Sequence, residues 1–238
     1  MKQLQSQDTA ILLFSRTSEE EARVKWHHPS LNQNKKVGIA SRLIDHSLSI
    51  AHHSKLPVFT RFSNVQSGSD FGERLANAIE EIYAQGYQKV IAIGNDCPLI
   101  SAQLLRDVAA ALMQQQAVLG PARDGGLYLI GLQKSAYHRH EFLNLAWESS
   151  ALQRSWRHYQ VSTYWLKSLS DVDTFIDLKQ LVAQLPFAHF LRQQLLSILA
   201  SAKVDVNRNG YLLSNPSLPR TRPQRGPPYR ATFPTVKL

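Results

Sequence analysis

Residues Val90-Ile91-Ala92-Ile93 form an apolar, branched run that stops at Gly94-Asn95-Asp96-Cys97-Pro98. Such a run reads as a strand buried on both faces, the habit of parallel sheets packed between helices. Asp96 then stands where the strand leaves the sheet. In open α/β sheets that edge forms the ligand crevice. A carboxylate there suits Mg²⁺, which takes one or two carboxylates together with substrate phosphates. A second stretch, Gly120-Pro121-Ala122-Arg123-Asp124-Gly125-Gly126, is followed by the apolar run Leu127 to Leu132. It puts Asp124 and two glycines on a turn. Paired glycines there serve either close backbone approach to a ligand or a tight turn alone.

The rest of the chain alternates strand and helix patterns. Thr9 to Phe14, Leu56 to Thr60, Lys89 to Gly94, Ala117 to Gly120, Leu127 to Leu132 and Val161 to Leu166 read as strands. Apolar residues recur at helical spacing over Lys36 to His53, Gly72 to Ala84, with Gly86 as its stop, and a segment from Ser101 to about Gln115. Further helices are expected near Ser149 to His158, from Asp173 or Thr174 to about Leu185, and over Phe187 to Ala202. This alternation predicts an α/β fold with a mostly parallel sheet and helices on both faces.

The net charge of +9 would point to an anionic partner if it were spread over the chain. It is not. Residues 207–238 hold Arg208, Arg220, Arg222, Arg225, Arg230 and Lys237 with no acidic residue, and six of the eleven prolines. The expected organisation is a domain over 9–203 and a basic, Pro-rich tail over 204–238, extended or disordered. Truncation after about Asn207 is expected to leave the urea melt unchanged; a clear loss of stability would show that the tail packs on the body. Nucleic-acid binding through the tail is a third-ranked reading, which predicts steep salt dependence lost on tail deletion. No stretch approaches the ~18 apolar residues of a membrane span, and the start lacks an apolar signal core, so a cytoplasmic protein is expected. The single cysteine, Cys97, excludes an internal disulfide. It reads as a small buried hydrophobe.

Several chemistries find no support. There is no phosphate-binding Walker loop, no Gly-x-Gly-x-x-Gly and no Gly-x-Ser-x-Gly elbow. The pairs His27-His28 and His52-His53 are adjacent residues that do not converge on one ion. Asp171-Val172-Asp173-Thr174 stays open between a helix cap and a carboxylate at or beside a metal.

Taken in order, these motifs resemble one family. They are Arg23-Val24-Lys25, Gly68-x-Asp70-Phe71-Gly72-Glu73-Arg74-Leu75, Gly94-Asn95-Asp96-Cys97-Pro98, the Asp124-Gly125-Gly126 block, Trp147, and Asp171-Val172-Asp173-Thr174 with Asp177-Leu178. Over roughly residues 9–185 the chain is similar to the bacterial selenodomain-associated transferases. These belong with the glycosyltransferase-A, or nucleotide-diphospho-sugar transferase, superfamily. The resemblance implies a glycosyltransferase-A type fold and a divalent cation, Mg²⁺ or Mn²⁺. It implies Asp96 and Asp124 as catalytic carboxylates, with Asp96 and Asp173 holding the metal. Arg16, Arg23, Lys25, Gly68, Arg74, Asn95, Gly125 and Gly126 would meet the nucleotide or nucleotide-sugar.

One segment departs from the family pattern. Where members carry a Pro- and Gly-containing loop leading to Arg-Val-Lys-Thr-Arg-Leu, this chain reads Ser15-Arg16-Thr17-Ser18-Glu19-Glu20-Glu21-Ala22-Arg23-Val24-Lys25-Trp26-His27. Ser18 and Glu21 fit a capping box and hence the first turn of a helix. Three glutamates in the approach would repel a triphosphate. The expected function is therefore metal-dependent glycosyl or nucleotidyl transfer on a nucleotide-linked substrate, with a nucleotide-sugar or similar diphosphate preferred to a nucleoside triphosphate. The alternative is a non-catalytic relative that binds a nucleotide or metabolite in the same crevice.

Overall fold

The computed structural model describes residues 8–200. The expected tail over 204–238 lies outside the described residues. The strands are β1 (Thr9–Ser15), β2 (Val58–Phe62), β3 (Lys89–Ile93), β4 (Ala117–Pro121), β5 (Leu127–Gln133) and β6 (Thr163–Trp165). The helices are α1 (Ser18–Val24), α2 (Gln33–His53), α3 (Phe71–Ala84), α4 (Ala102–Ala111), α5 (Arg139–Leu143), α6 (Leu152–Ser155), α7 (Phe175–Gln184) and α8 (Phe190–Ala200).

The six strands make one sheet in the order β2-β1-β3-β5-β4-β6. β1 pairs parallel with β2 and β3, and β4 pairs parallel with β6. β5 runs antiparallel to both β3 and β4. It is the returning arm of the Asp124-Gly125-Gly126 hairpin, inserted between β3 and β4. The other five strands share one direction, so the sheet is mostly parallel as expected.

β1 is buried at every position. Its alternate residues face opposite ways. Ala10, Leu12 and Phe14 pack with Leu75, Ile79 and Ile82 of α3, and with Phe142 and Trp156. Ile11 and Leu13 pack on the other face with Ile44 and Ala51 of α2 and with Leu105 and Val108 of α4. A third cluster joins α2 to α7 and α8 through Leu43, Leu181 and Leu195, and takes in Trp26 and Val172. Helices therefore cover both faces.

Local chemistry sets most boundaries. Ser101 caps α4, accepting from Leu104 N at 3.1 Å, and Gly86, at φ +100°, follows α3. Three expectations shift. α2 starts at Gln33 rather than Lys36, because Asn32 accepts from Lys35 N at 2.9 Å and caps it. The helix expected near Ser149 to His158 is the single turn α6 with a 3₁₀ turn at Trp156–His158, and α5 precedes it. α1 is capped by Thr17, which accepts from Glu20 N, so the Ser18–Glu21 capping box does not form. Ser18 is already helical, and Glu21 turns inward.

Candidate functional site

A crevice of about 800 Å³ opens at the edge where β1, β3 and β4 end. Asn95 and Asp96 line it from the end of β3, Asp124 and Gly126 from the β4–β5 turn, and Arg16, Glu20 and Glu21 from the start of α1. Arg74 of α3 and the rings of Phe14, Phe71, Tyr128 and Trp147 complete the wall. Phe71 lies between Phe14 and Trp147, with ring centroids 5.5 and 5.6 Å away.

The Asp124-Gly125-Gly126 turn holds its shape by backbone chemistry. Ala122 N donates to Gly126 O at 2.9 Å, and Asp124 Oδ1 accepts from Gly126 N at 2.8 Å. Gly125 has φ +98°, and a Cβ there would lie 2.3 Å from Ser150 O, so only glycine fits. Gly126 lines the crevice, whereas Gly125 serves the turn.

The 171–173 segment is pinned from two sides. Val172 N donates to Asp96 O at 2.9 Å, and Trp26 Nε1 donates to Val172 O at 3.1 Å. Trp26 N also donates to Asp173 O at 3.1 Å. Trp26 is 1% exposed and has φ +53°, a left-handed conformation uncommon for a bulky residue. Thr174, not Asp173, caps α7, in a reciprocal capping box with Asp177. The open choice at Asp171-Val172-Asp173-Thr174 thus divides: Thr174 caps, and both aspartates stand beside Asp124, next to the crevice but not in its lining. Carboxylate oxygens of Asp124, Asp171 and Asp173 lie within 4.8 Å of one another.

Lys25 joins this acidic floor to α1. Its Nζ hydrogen-bonds Asp96 Oδ1, and stands 3.0 Å from Asp173 Oδ1 and 3.3 Å from Glu21 Oε2. Both Lys25 and Glu21 are buried. Burial works against the Lys25 charge, but Asp96, Glu21 and Asp173 outweigh it and hold its pKa above the usual lysine value. Burial, with Asp96 nearby, raises the pKa of Glu21. Arg16 offsets part of that charge, 3.5 Å from Glu21 Oε1. Burial, then the charges of Asp124, Asp96 and Asp173, push Asp171 up to about 7. The three glutamates therefore differ: Glu19 is exposed, Glu20 lines the crevice, and Glu21 is a buried partner of Lys25.

The remaining expected site residues are placed as follows. Asn95 is 2% exposed; its Oδ1 accepts from Ser15 Oγ at 2.9 Å, and its Nδ2 has no hydrogen-bond partner among the described residues. Arg23 is exposed and does not line the crevice. Gly68 is exposed in the loop before α3, outside the crevice wall. Cys97 is buried, and burial followed by the Asp171 charge pushes its thiol up to about 12, which fits an inert core thiol. Asp171 and Glu21 are the members of the floor that spacing alone did not assign. The alternation of the Asp-x-Asp-Thr block marked Asp171; nothing local marked Glu21.

The donor set fits a hard divalent cation: three carboxylates with oxygen ligands only, one of them half-buried, suit Mg²⁺ or Mn²⁺. Asp173 belongs to that group, while Asp96 is engaged with Lys25.

The six-stranded sheet, the helices on both its faces and the crevice at its edge define a mixed α/β protein. A family model described as "Uncharacterized protein conserved in bacteria (DUF2064)" matches residues 43–149. The crystal structure of a "putative nucleotide-diphospho-sugar transferase" from Desulfovibrio desulfuricans G20 superposes with a TM-score of 0.71 at 22% identity, covering 81% of this chain and 96% of that one. That likeness establishes the fold. Two more distant structures are Rv0371C of Mycobacterium tuberculosis H37Rv in complex with manganese and 4-diphosphocytidyl-2C-methyl-D-erythritol synthase of Anaerococcus prevotii DSM 20548. The first has a TM-score of 0.44 at 12% identity, over 74% of this chain and 98% of that one. The second has a TM-score of 0.43 at 10% identity, over 72% and 95%. At that distance they carry no argument about chemistry. No curated protein matches the chain. Among the described residues no helix is long and apolar enough to cross a membrane.

Proposed function

We propose that the crevice is the site of a divalent-cation-dependent transferase acting on a nucleotide-linked substrate, by glycosyl or nucleotidyl transfer. The observation that carries this reading is the convergence of Asp96, Asp124, Asp171 and Asp173. Three separated segments bring them together: Asp96 and Asp124 line the crevice, Asp171 and Asp173 stand directly beside them, and Asp171 feels the charge of the other three. One ammonium, Lys25, offsets only part of the charge of four carboxylates, and a divalent cation would neutralise the rest. Mg²⁺ or Mn²⁺ held by Asp124, Asp171 and Asp173 would supply the charge that a diphosphate leaving group needs. Asp96 and Asp124 are the carboxylates nearest the transfer chemistry in this reading. Arg16 and Arg74 would meet phosphate oxygens, Asn95 would offer its unpartnered Nδ2–H, and Gly126 would let the ligand approach the backbone. The Phe14, Phe71 and Trp147 rings offer a flat wall to a base or a sugar.

A nucleotide-sugar or similar diphosphate suits the site better than a triphosphate. Glu20 and Glu21 add negative charge on the α1 side of the crevice, and Glu21 partly neutralises Lys25. The motif order supports a relation to the selenodomain-associated transferases. A cytoplasmic location accords with a single, unpaired cysteine.

The test is a thermal-shift screen of nucleotides and nucleotide-sugars with and without Mn²⁺. A ligand that binds the native state raises its apparent stability by mass action. Stabilisation by a nucleotide-sugar only when Mn²⁺ is present is the expected result. No stabilisation by any nucleotide under either condition would sink the reading. The commitment of Lys25 to Glu21 favours one second reading, a non-catalytic nucleotide- or metabolite-binding relative. It predicts stabilisation without Mn²⁺ and no turnover.

A further inference from the structure

The crevice floor carries a cation of the chain's own. Lys25 sits at the end of α1 with its side chain 7% exposed, and its Nζ contacts Asp96 and stands 3.0 Å from Asp173 Oδ1. Asp173 is also one of the three carboxylates that lie close enough to share an ion. The same residue therefore faces two cation positions. Glu21, one helical turn earlier, stands 3.3 Å from the ammonium and is itself 2% exposed, so three carboxylates surround the Lys25 Nζ.

We propose that Lys25 is the resident counter-ion of the acidic floor and competes with a divalent cation for Asp173, so that this lysine sets how tightly the cation is held. The proposal rests on the metal-dependent reading above. A carboxylate that neutralises an ammonium has less charge to offer a second cation, and a divalent ion seated beside that ammonium meets like-charge repulsion. Arg16 does not do the same work. It is 44% exposed and pairs with Glu21 and Glu148, not with the aspartates of the floor.

The experiment is a Mn²⁺ titration of the full chain, followed by electron paramagnetic resonance, with the metal alone and no nucleotide. Lys25→Met is expected to bind Mn²⁺ at least about tenfold more tightly than the parent, within the usual range of coupling between sites. The effect should persist at high salt, because a contact at 3.0 Å lies inside any screening length. The double variant Glu21→Gln/Lys25→Met removes the buried carboxylate with its partner. It keeps the net charge of the parent, and it serves if the single variant does not fold. Tighter Mn²⁺ binding in the double variant supports competition, since no change in net charge can explain it. A gain in the single variant that vanishes in the double, or at high salt, is a field effect and overturns the proposal. Equal affinity in all three forms overturns the proposal and leaves the metal-dependent reading standing. Absence of Mn²⁺ binding in every form overturns both.

Discussion

Replacing Lys25 by Met is expected to cost about 3–5 kcal/mol of stability, the usual penalty for breaking a buried ion pair from one side. Glu21 is 2% exposed and would be left with only the half-exposed Arg16 to offset it. The remedy for an uncompensated buried carboxylate is protonation, so the Glu21 pKa should climb further in the variant. A carboxylate whose folded pKa lies above its unfolded one destabilises the fold fully above the folded value, and not at all below the unfolded value. The gap between variant and parent should therefore be widest at neutral and alkaline pH and narrow towards about pH 4, the ordinary carboxylate range. Changing Glu21 to Gln in the same molecule should restore most of the loss at neutral pH. Urea melts of the three proteins across that range test this. A single variant as stable as the parent at neutral pH would show that Glu21 does not need its lysine.

Asp173→Asn is expected to weaken Mn²⁺ binding by at least about tenfold. Loss of an outer-shell partner alone costs about 10–100-fold at many metal sites, and a direct oxygen donor matters more. The substitution keeps the side chain's shape and leaves the backbone bond from Trp26 N to Asp173 O intact, so the 171–173 segment should stay in place. Asp107→Asn, on the exposed side of α4, is the control for a general loss of negative charge. Equal Mn²⁺ affinity for the Asp173 variant and the control would remove Asp173 as a ligand.

Much of this fold is legible locally. The buried run Val90 to Ile93 needs helices on both sides whatever the rest of the chain does, and Ser101, Gly86 and Gly125 are read from their own cap and turn chemistry. The Asp124-Gly125-Gly126 hairpin is equally local, because its bonds join neighbours. Boundaries drifted where a cap lay outside the apolar period, as at Asn32, or where the hydroxyl one residue earlier did the capping, as Thr17 does in place of Ser18. Asp96 and Asp124 were legible as strand-end and turn carboxylates, and the Asp-x-Asp-Thr block was legible as a choice between cap and site. Arg23 and Gly68, expected from motif order alone, lie outside the crevice wall. Motif order does not say which way a side chain turns.

By itself the sequence determined an α/β sheet with carboxylates at one edge. Periods of two and 3.6 residues, caps and turn glycines act over a few residues and need no partner from afar. Only the tertiary structure decided what those carboxylates meet. Lys25 and Asp96 are 71 residues apart, and Trp26 and Val172 are 146 apart. They meet because β3 lies beside β1, and because Trp26 packs with Val172 and hydrogen-bonds the 171–173 segment. Three adjacent glutamates look alike as a string of charges. One is exposed, one lines the crevice and one is buried against a lysine, because a helical turn of 3.6 residues spreads neighbours over different faces. Which face is buried depends on α2, against which α1 packs, and α2 is itself placed by the sheet it covers.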